Sequence, residues 1–412
     1  MASLSSSYRS RLPVGRSLAC LALAVLGLTG RPSHAAGSTL LQDLRPGHDA
    51  TPGTNGPLTS LGNTVYFAGQ STSTGSEVWK SDGSPEGTVL VKEVLPGPES
   101  ANPSLFGELN GSLFFTARGS TLGTELWKTD GTPTGTVRLL SVPNGEIPTD
   151  VAITDHARVG NTLFFSAQLS GNKELWKTDG TPAGTARVKD IAPGDIGSFP
   201  YSLTALGSSL YFAATPSGTW PSSLWKSDGT EAGTVEVWSP PSPGGVQGVN
   251  ELGGSLLVRV TSSAYPVSSL WKSDGTAAGT VKVVDLPYEV RKSVVLGNRL
   301  VIWMDGAMWV TDGTAAGTRA LQLVSHASWH PSVTVGSQLF FLGTDSSHGL
   351  ELWTTDGTPS GTRLVKDLLP GAVDGALPTM AMAALDGACT SWARTPRAPS
   401  SCGRRMAPRP AP

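Results

Sequence analysis

Short apolar runs, broken by Gly, Asn, Pro and Ser, recur from Leu58 to Leu368. Runs of this length, rich in β-branched and aromatic residues, predict strands rather than helices. They fall into units of four. A first short run, as in Leu58 to Leu61 or Ser202 to Leu206, is followed by Gly62-Asn63, Gly160-Asn161, Gly207-Ser208 or Gly297-Asn298. Those pairs tolerate the positive φ of a tight hairpin. The second run is Thr64-Val65-Tyr66-Phe67, Leu113-Phe114-Phe115, Leu163-Phe164-Phe165 or Leu210-Tyr211-Phe212. The third is Glu-Leu-Trp-Lys, at Glu125 to Lys128 and Glu174 to Lys177, and the fourth is of the type Val188-Lys189-Asp190-Ile191.

The units repeat. Trp79, Trp127, Trp176, Trp225, Trp271, Trp309 and Trp353 lie 48, 49, 49, 46, 38 and 44 residues apart. Each is followed three residues later by an Asp: Asp82, Asp130, Asp179, Asp228, Asp274, Asp312 and Asp356. Gly, then Thr (Ser84 in the first copy), and a closing Gly-Thr pair complete every copy. Four antiparallel strands in about 45 residues is the size of a propeller blade. One four-stranded sheet cannot bury both faces, so blades must cover one another around an axis. The expected fold is therefore all-β, a propeller of four-stranded antiparallel blades with seven complete repeats. Its alternative is an eight-bladed ring whose last blade is incomplete. The motif Trp is expected to pack between blades. In the loop after it, Asp should accept backbone N–H groups, Gly should supply positive φ and Thr should close the turn.

The run Glu174-Leu175-Trp176-Lys177-Thr178-Asp179-Gly180-Thr181 resembles the ELWxxDGT repeat family of secreted bacterial proteins, over residues 39 to about 385. The resemblance implies an extracellular repeat protein and supplies no activity or ligand. Copies four to six carry Ser223, Ser269 and Ala307 in place of the Glu, so those blades are expected to pack less regularly.

Three segments are expected. Residues 1–36 read as a secretion signal, with Arg9, Arg11 and Arg16 before the apolar run Leu18 to Leu28, and Ser33-His34-Ala35 as a cleavage site. Residues 37–388 form the repeat domain. Residues 389–412 form a basic Pro/Arg-rich tail, expected to be disordered. Composition agrees with many strands and tight turns: 50 Gly, 31 Pro and 15% charged residues. The overall charge of −2 hides a segregation, because nine Arg and no acid lie in residues 1–36 and 389–412. The body then holds 21 basic against 32 acidic residues, a net charge of −11, which argues against nucleic acid as a partner. No membrane contact is expected after signal cleavage. Cys389 and Cys402 lie in the tail, so no disulfide staples the repeats.

The ends suggest how a ring would close. Thr39 to Gly47 matches a fourth strand with its Pro-Gly stop and no first three strands before it. Pro378 to Gly387 resembles the start of an eighth unit, after which the sequence turns abruptly to Arg, Pro, Ser and Ala. Regrouping the codons, with the last base of one residue joined to the first two of the next, makes the tail a repeat in the wrong frame. Trp392-Ala393 and Met406-Ala407 must then encode Gly, and Cys402-Gly403 gives Trp or Arg.

Residues present in every copy are expected to hold up the fold, because one active site needs unique residues. Calcium at the Asp-Gly-Thr loops is the lesser reading, with one acid per loop and no Asp-x-Asp-x-Asp spacing. Among unique residues, His326 and His330 flank Trp329 in a connecting loop and lack a third metal ligand. Asp155-His156 is a dyad in sequence only, and His348 fills a turn. Trp220 and Trp238 lie outside the motif, where a sugar-stacking surface competes with ordinary packing. A propeller enzyme would show acids, Arg or Tyr breaking the repeat at corresponding strand positions, and the sequence displays no such cluster. No catalytic, cofactor-binding or metal-ligating residue is therefore singled out. The expected function is a secreted, monomeric, non-catalytic binding or scaffolding protein for an unknown protein or glycan. The alternatives are an extracellular propeller enzyme acting on carbohydrate and a degenerate copy without function.

Overall fold

A computed structural model describes residues 58–374, apart from 120–122, 141–152, 170–171, 219, 263–267, 305–306, 323–331, 368–369 and 373, together with the strand backbones 24–25, 382–385 and 388–391. Seven four-stranded antiparallel sheets are arranged in a ring, a seven-bladed β-propeller. Each sheet is one repeat, and its strands follow chain order from the axis outward. The innermost strands are Thr59–Leu61, Ser104–Leu109, Ile153–Val159, Tyr201–Leu206, Gly244–Leu252, Val290–Leu296 and Ser332–Val335. Blades four to six keep all four strands although they lack the motif Glu. A further hairpin, Met382–Leu385 with Ala388–Ser391, lies against the innermost strands of blades seven and one. Ala24–Val25 pairs with its second strand. The orphan fourth strand expected at 39–47 lies outside the described residues.

The core is a series of inter-blade layers. One face of each sheet packs on the opposite face of the next, so Tyr66 and Val78 of blade one meet Leu113, Phe115 and Ala117 of blade two. The same arrangement joins Phe114 and Leu126 to Leu163 and Phe165, and Tyr211 and Leu224 to Leu256 and Val258. The motif Trp joins each layer: Trp127, Trp176, Trp225, Trp271, Trp309 and Trp353 all pack against the cluster shared with the preceding blade. Trp238, which lies outside the motif, packs on Trp271 with ring centroids 4.9 Å apart.

The Asp-Gly-Thr loop is built as its residue types require. Asp179 Oδ1 accepts both the backbone N–H (2.8 Å) and the hydroxyl (2.7 Å) of Thr181. Thr181 Oγ1 in turn accepts the Gly184 N–H at 3.0 Å, and Thr185 donates back to the Thr181 carbonyl at 2.7 Å. Gly180 sits at φ 89°. The second glycine is forced by the Asp: a Cβ on Gly184 would lie 2.1 Å from Asp179 Oδ1. The same bonds recur at Asp130, Asp228, Asp274, Asp312 and Asp356. These bonds hold every such carboxyl below its usual range.

The lysines of the repeat reach forward. Lys80 donates to the Gly131 carbonyl at 2.9 Å and Lys177 to that of Gly229 at 2.8 Å, each one blade ahead. Lys92 and Lys189 likewise donate to Thr136 O and Thr234 O at 2.8 Å.

The motif Glu latches the chain as it leaves the fourth strand. Glu77, fully buried, accepts the Val94 and Leu95 N–H groups at 3.0 Å. Glu174 accepts those of Ala192 and Ser198 at 3.1 Å. Burial outweighs these bonds and the Glu77 carboxyl is pushed up to about 7. A raised folded-state value means stability that is full below the unfolded value near 4.5 and is lost as pH rises through about 7. Denaturant midpoints measured from pH 4.5 to 7.5 should therefore fall as pH rises, and Glu77→Gln should flatten that slope. An unchanged slope in the variant would contradict the assignment.

Candidate functional site at the entry face

In five consecutive blades, two to six, the innermost strand carries a register shift near its start: Leu105/Gly107, Ile153/Asp155, Tyr201/Thr204, Val246/Gly248 and Val290/Lys292. A bulge re-aims the side chains beside it. The position at or beside the shift faces one fixed residue of the second strand, in the pairs Ser104–Thr116, Asp155–Ser166, Tyr201–Ala213, Gly248–Arg259 and Lys292–Trp303. Asp155, Tyr201, Arg259 and Lys292 thus occupy one level of four adjacent blades, at the end of the ring where the innermost strands begin. The sequence displays no such cluster, yet the sheets bring an acid, a Tyr and two cations into one row. The spacing explains why. Asp155, Gly248 and Lys292 lie eight residues before the Leu of the second strand (Leu163, Leu256, Leu300), but Ser104 and Tyr201 lie nine before theirs (Leu113, Leu210).

Three side chains converge on the blade-five innermost strand between Gly245 and Gly248. Tyr201 from blade four directs its hydroxyl to the Val246 carbonyl and lies 2.8 Å from Ser222 Oγ. The Trp220 ring covers Gly245 so closely that a Cβ there would lie 2.3 Å from it. The Arg259 guanidinium covers Gly248, where a Cβ would lie 2.0 Å from Nη2. Two glycines therefore make room for an indole and a guanidinium. Ser202 holds the neighbouring backbone, donating to Val249 O at 2.9 Å and accepting from Val249 N at 2.7 Å. It does so in the left-handed region, at φ 56°, and Phe199 just before it is at φ 47°. Backbone conformations of this kind cost about 1–3 kcal/mol each and gather at functional sites.

Arg259 is poorly served. Its Nη2 makes one long contact, 3.5 Å, to the Gln247 carbonyl. Its Nε is shielded from solvent and has no partner among the described residues. Burial lowers it to about 10, against the pull of nearby Tyr201, so at neutral pH it keeps its charge. Burial raises the Tyr201 phenol, which therefore stays protonated. Lys292, with its ammonium 5.8 Å from the Trp303 ring centre, is lowered by burial to about 8. Ile196 (57% exposed), Phe199 (39%) and Trp220 (46%) give an exposed apolar border, in which Gly218 brings the Trp220 loop against Ile196.

The histidines serve packing and turns. Asp155 does not meet the His156 ring: its oxygens accept the backbone N–H groups of His156 (2.8 Å) and Leu203 (2.9 Å). The His156 ring stacks edge-on against Phe106. Burial raises the Asp155 carboxyl, and burial lowers both His156 and the Lys173 ammonium that Asp155 attracts. His348 fills its turn, with Nδ1 2.9 Å from Asp345 Oδ1. His326, Trp329 and His330 lie outside the described residues. The described residues contain no group of three or more His, Cys, Asp or Glu placed to hold a metal.

No protein-family profile matches the chain, and no curated protein matches it. Among solved structures, a puromycin hydrolase variant is similar at 12% identity and TM-score 0.49, covering 82% of this chain and 58% of that one. A puromycin-hydrolysing peptidase of Mycobacterium tuberculosis gives 12%, 0.48, 76% and 52%. Oligopeptidase B from Leishmania major gives 13%, 0.49, 77% and 49%. The chain spans about half the length of these proteins. They correct the expectation of a non-catalytic binding or scaffolding protein, because the propellers matched are parts of peptidases. That reading is dropped. Only the propeller part is matched, so the likeness is one of fold and transfers no activity to this chain.

Proposed function

We propose that the protein works at the entry face of blades three to six, where it takes up a carboxylate carried on an apolar body, such as the C-terminus of an apolar peptide. The observation that carries this is Arg259: a guanidinium with an unbonded, shielded Nε, held over Gly248 beside the Tyr201 hydroxyl. Arg binds carboxylates through two parallel N–H bonds, and charge-assisted bonds of this type are about twice as strong as neutral ones. Ile196, Phe199 and Trp220 offer the apolar complement. The body of the chain is acidic, so the cations Arg259 and Lys292 at this mouth give an anionic group a favourable place to land.

Calorimetric titration with short peptides ending in Leu or Phe, as free acids and as amides, tests this. The free acids should bind, the amides should bind at least ~10-fold more weakly, and Arg259→Gln should remove the difference. Equal binding of acid and amide would reject the assignment. Mass spectrometry of the same mixtures shows whether the peptide is returned intact or cut. The secretion reading and the likeness to ELWxxDGT proteins enter the proposal on the sequence alone. On these grounds the proposal includes a site outside the cytoplasm, and a mature N-terminus at Ala36 is the expected result of Edman sequencing.

A further inference from the structure

The innermost strands of blades one and seven both lie against one further element. Between them sits the hairpin Met382–Leu385 and Ala388–Ser391. Its register is that of a blade's inner hairpin. Leu385 pairs with Ala388, leaving two residues between the strands, as Leu61 pairs with Thr64, Leu109 with Ser112, Leu206 with Ser209 and Leu252 with Ser255. The place of an eighth blade is thus occupied by its first two strands, and among the described residues Ala24–Val25 alone pairs beyond them, a segment that the expected signal cleavage would remove.

The residues that follow can be read as the missing part. Taken one base out of frame, Ala388 to Ser391 permit Leu-Tyr-Phe, and Trp392-Ala393 force the Gly that matches Val65-Tyr66-Phe67-Ala68-Gly69. Further on, Ser400 to Pro412 permit the string Glu-Leu-Trp-Lys-Thr-Asp-Gly-Thr-Pro-Ala-Gly-Thr. That string is the same as Glu174 to Thr185 of blade three. Its Gly at Met406-Ala407 is forced, and Cys402-Gly403 allows only Trp or Arg. Codon degeneracy makes any single match easy. The forced glycines fall at the correct distances, and the Trp follows the second-strand Leu by 14 residues, as Trp79 follows Val65 and Trp127 follows Leu113.

We infer that the gap between blades seven and one is the berth of an eighth blade, and that a one-base shift near codon 387 has replaced the outer part of that blade by the present basic tail. The restored protein would have its last inter-blade layer closed, with a motif Trp covering blade seven as Trp353 covers blade six.

The test compares the present chain with the product of the gene restored by one base, using hydrogen exchange and limited proteolysis read by mass spectrometry. Amides of 382–385 should exchange at least ~10-fold more slowly in the restored protein, and its protease-resistant core should extend through the restored Trp motif. Equal exchange in both proteins, with the restored segment trimmed off as freely as the present tail, would overturn the inference. So would a restored protein that fails to fold while the present chain folds, because a segment made for the berth cannot unfold the ring. Digestion of the present chain inward from residue 391 while blade seven stays intact is the further expected result.

Discussion

Phe165→Ala should destabilise the ring by about 3–5 kcal/mol, measured as a shift of the urea midpoint at constant slope. The ring of Phe165 is 1% exposed and lies in the layer between blades two and three, against Phe114, Leu126 and Leu163. It pairs across the strands with Trp176 and stands 6.0 Å from the ring of Phe106. Truncation leaves a hole walled by sheets that are themselves fixed by their hydrogen bonds, so little collapse can offset it. In a repeat structure the stability is a sum of unit and interface contributions, and this substitution removes much of one interface. A loss below about 1 kcal/mol would mean that the layer is not packed as described.

Gly184→Ala is expected to cost about 2–4 kcal/mol, an unusual amount for one methyl group in an exposed turn. The added Cβ would meet the Asp179 carboxylate at 2.1 Å, so the carboxylate must leave Thr181 or the turn must open. The cost should shrink to below about 1 kcal/mol in an Asp179→Ala background, where nothing remains to collide with. The double-mutant cycle therefore reads the collision itself, apart from any change in backbone preference. Equal costs in both backgrounds would place the need for glycine elsewhere, in the backbone conformation of the turn.

The Trp-x-x-Asp-Gly-Thr-x-x-Gly-Thr spacing is in large part a local code, in which the Asp, Gly and Thr residues serve one another within six positions. Periodicity, blade number and the inter-blade place of the Trp followed from it. The entry-face row was hidden because a register shift changes the distance from Asp155 or Lys292 to its second-strand Leu by one residue relative to Tyr201. An alignment in register with the motif scatters residues that the sheet collects. Arg259 carried a weak signal: it stands where Ala68, Thr116, Ser166 and Ala213 stand in blades one to four. Gly245 and Gly248 carry no signal in the sequence, because their role as floor for an indole and a guanidinium depends on side chains from blades four and five. The loss of the motif Glu in blades four to six mattered less than expected. Ser223 answers Ser239 at 2.9 Å instead, a smaller bond in a sheet that still has four strands.

The forward-reaching lysines give the ring a mechanical grain. Lys80 and Lys92 tie blade one to blade two, and Lys177 and Lys189 tie blade three to blade four, each by two bonds set at different radii. Two bonds at different radii resist both sliding and twisting, where a single one resists sliding alone. Under a load applied through the chain, blades one and two should behave as one rigid doublet, and blades three and four as another. Blade four is joined in turn to blade five by Ser202 and Thr204 on Val249, so release in a force–extension trace should begin along the seam beside blade seven and reach blades three to five last.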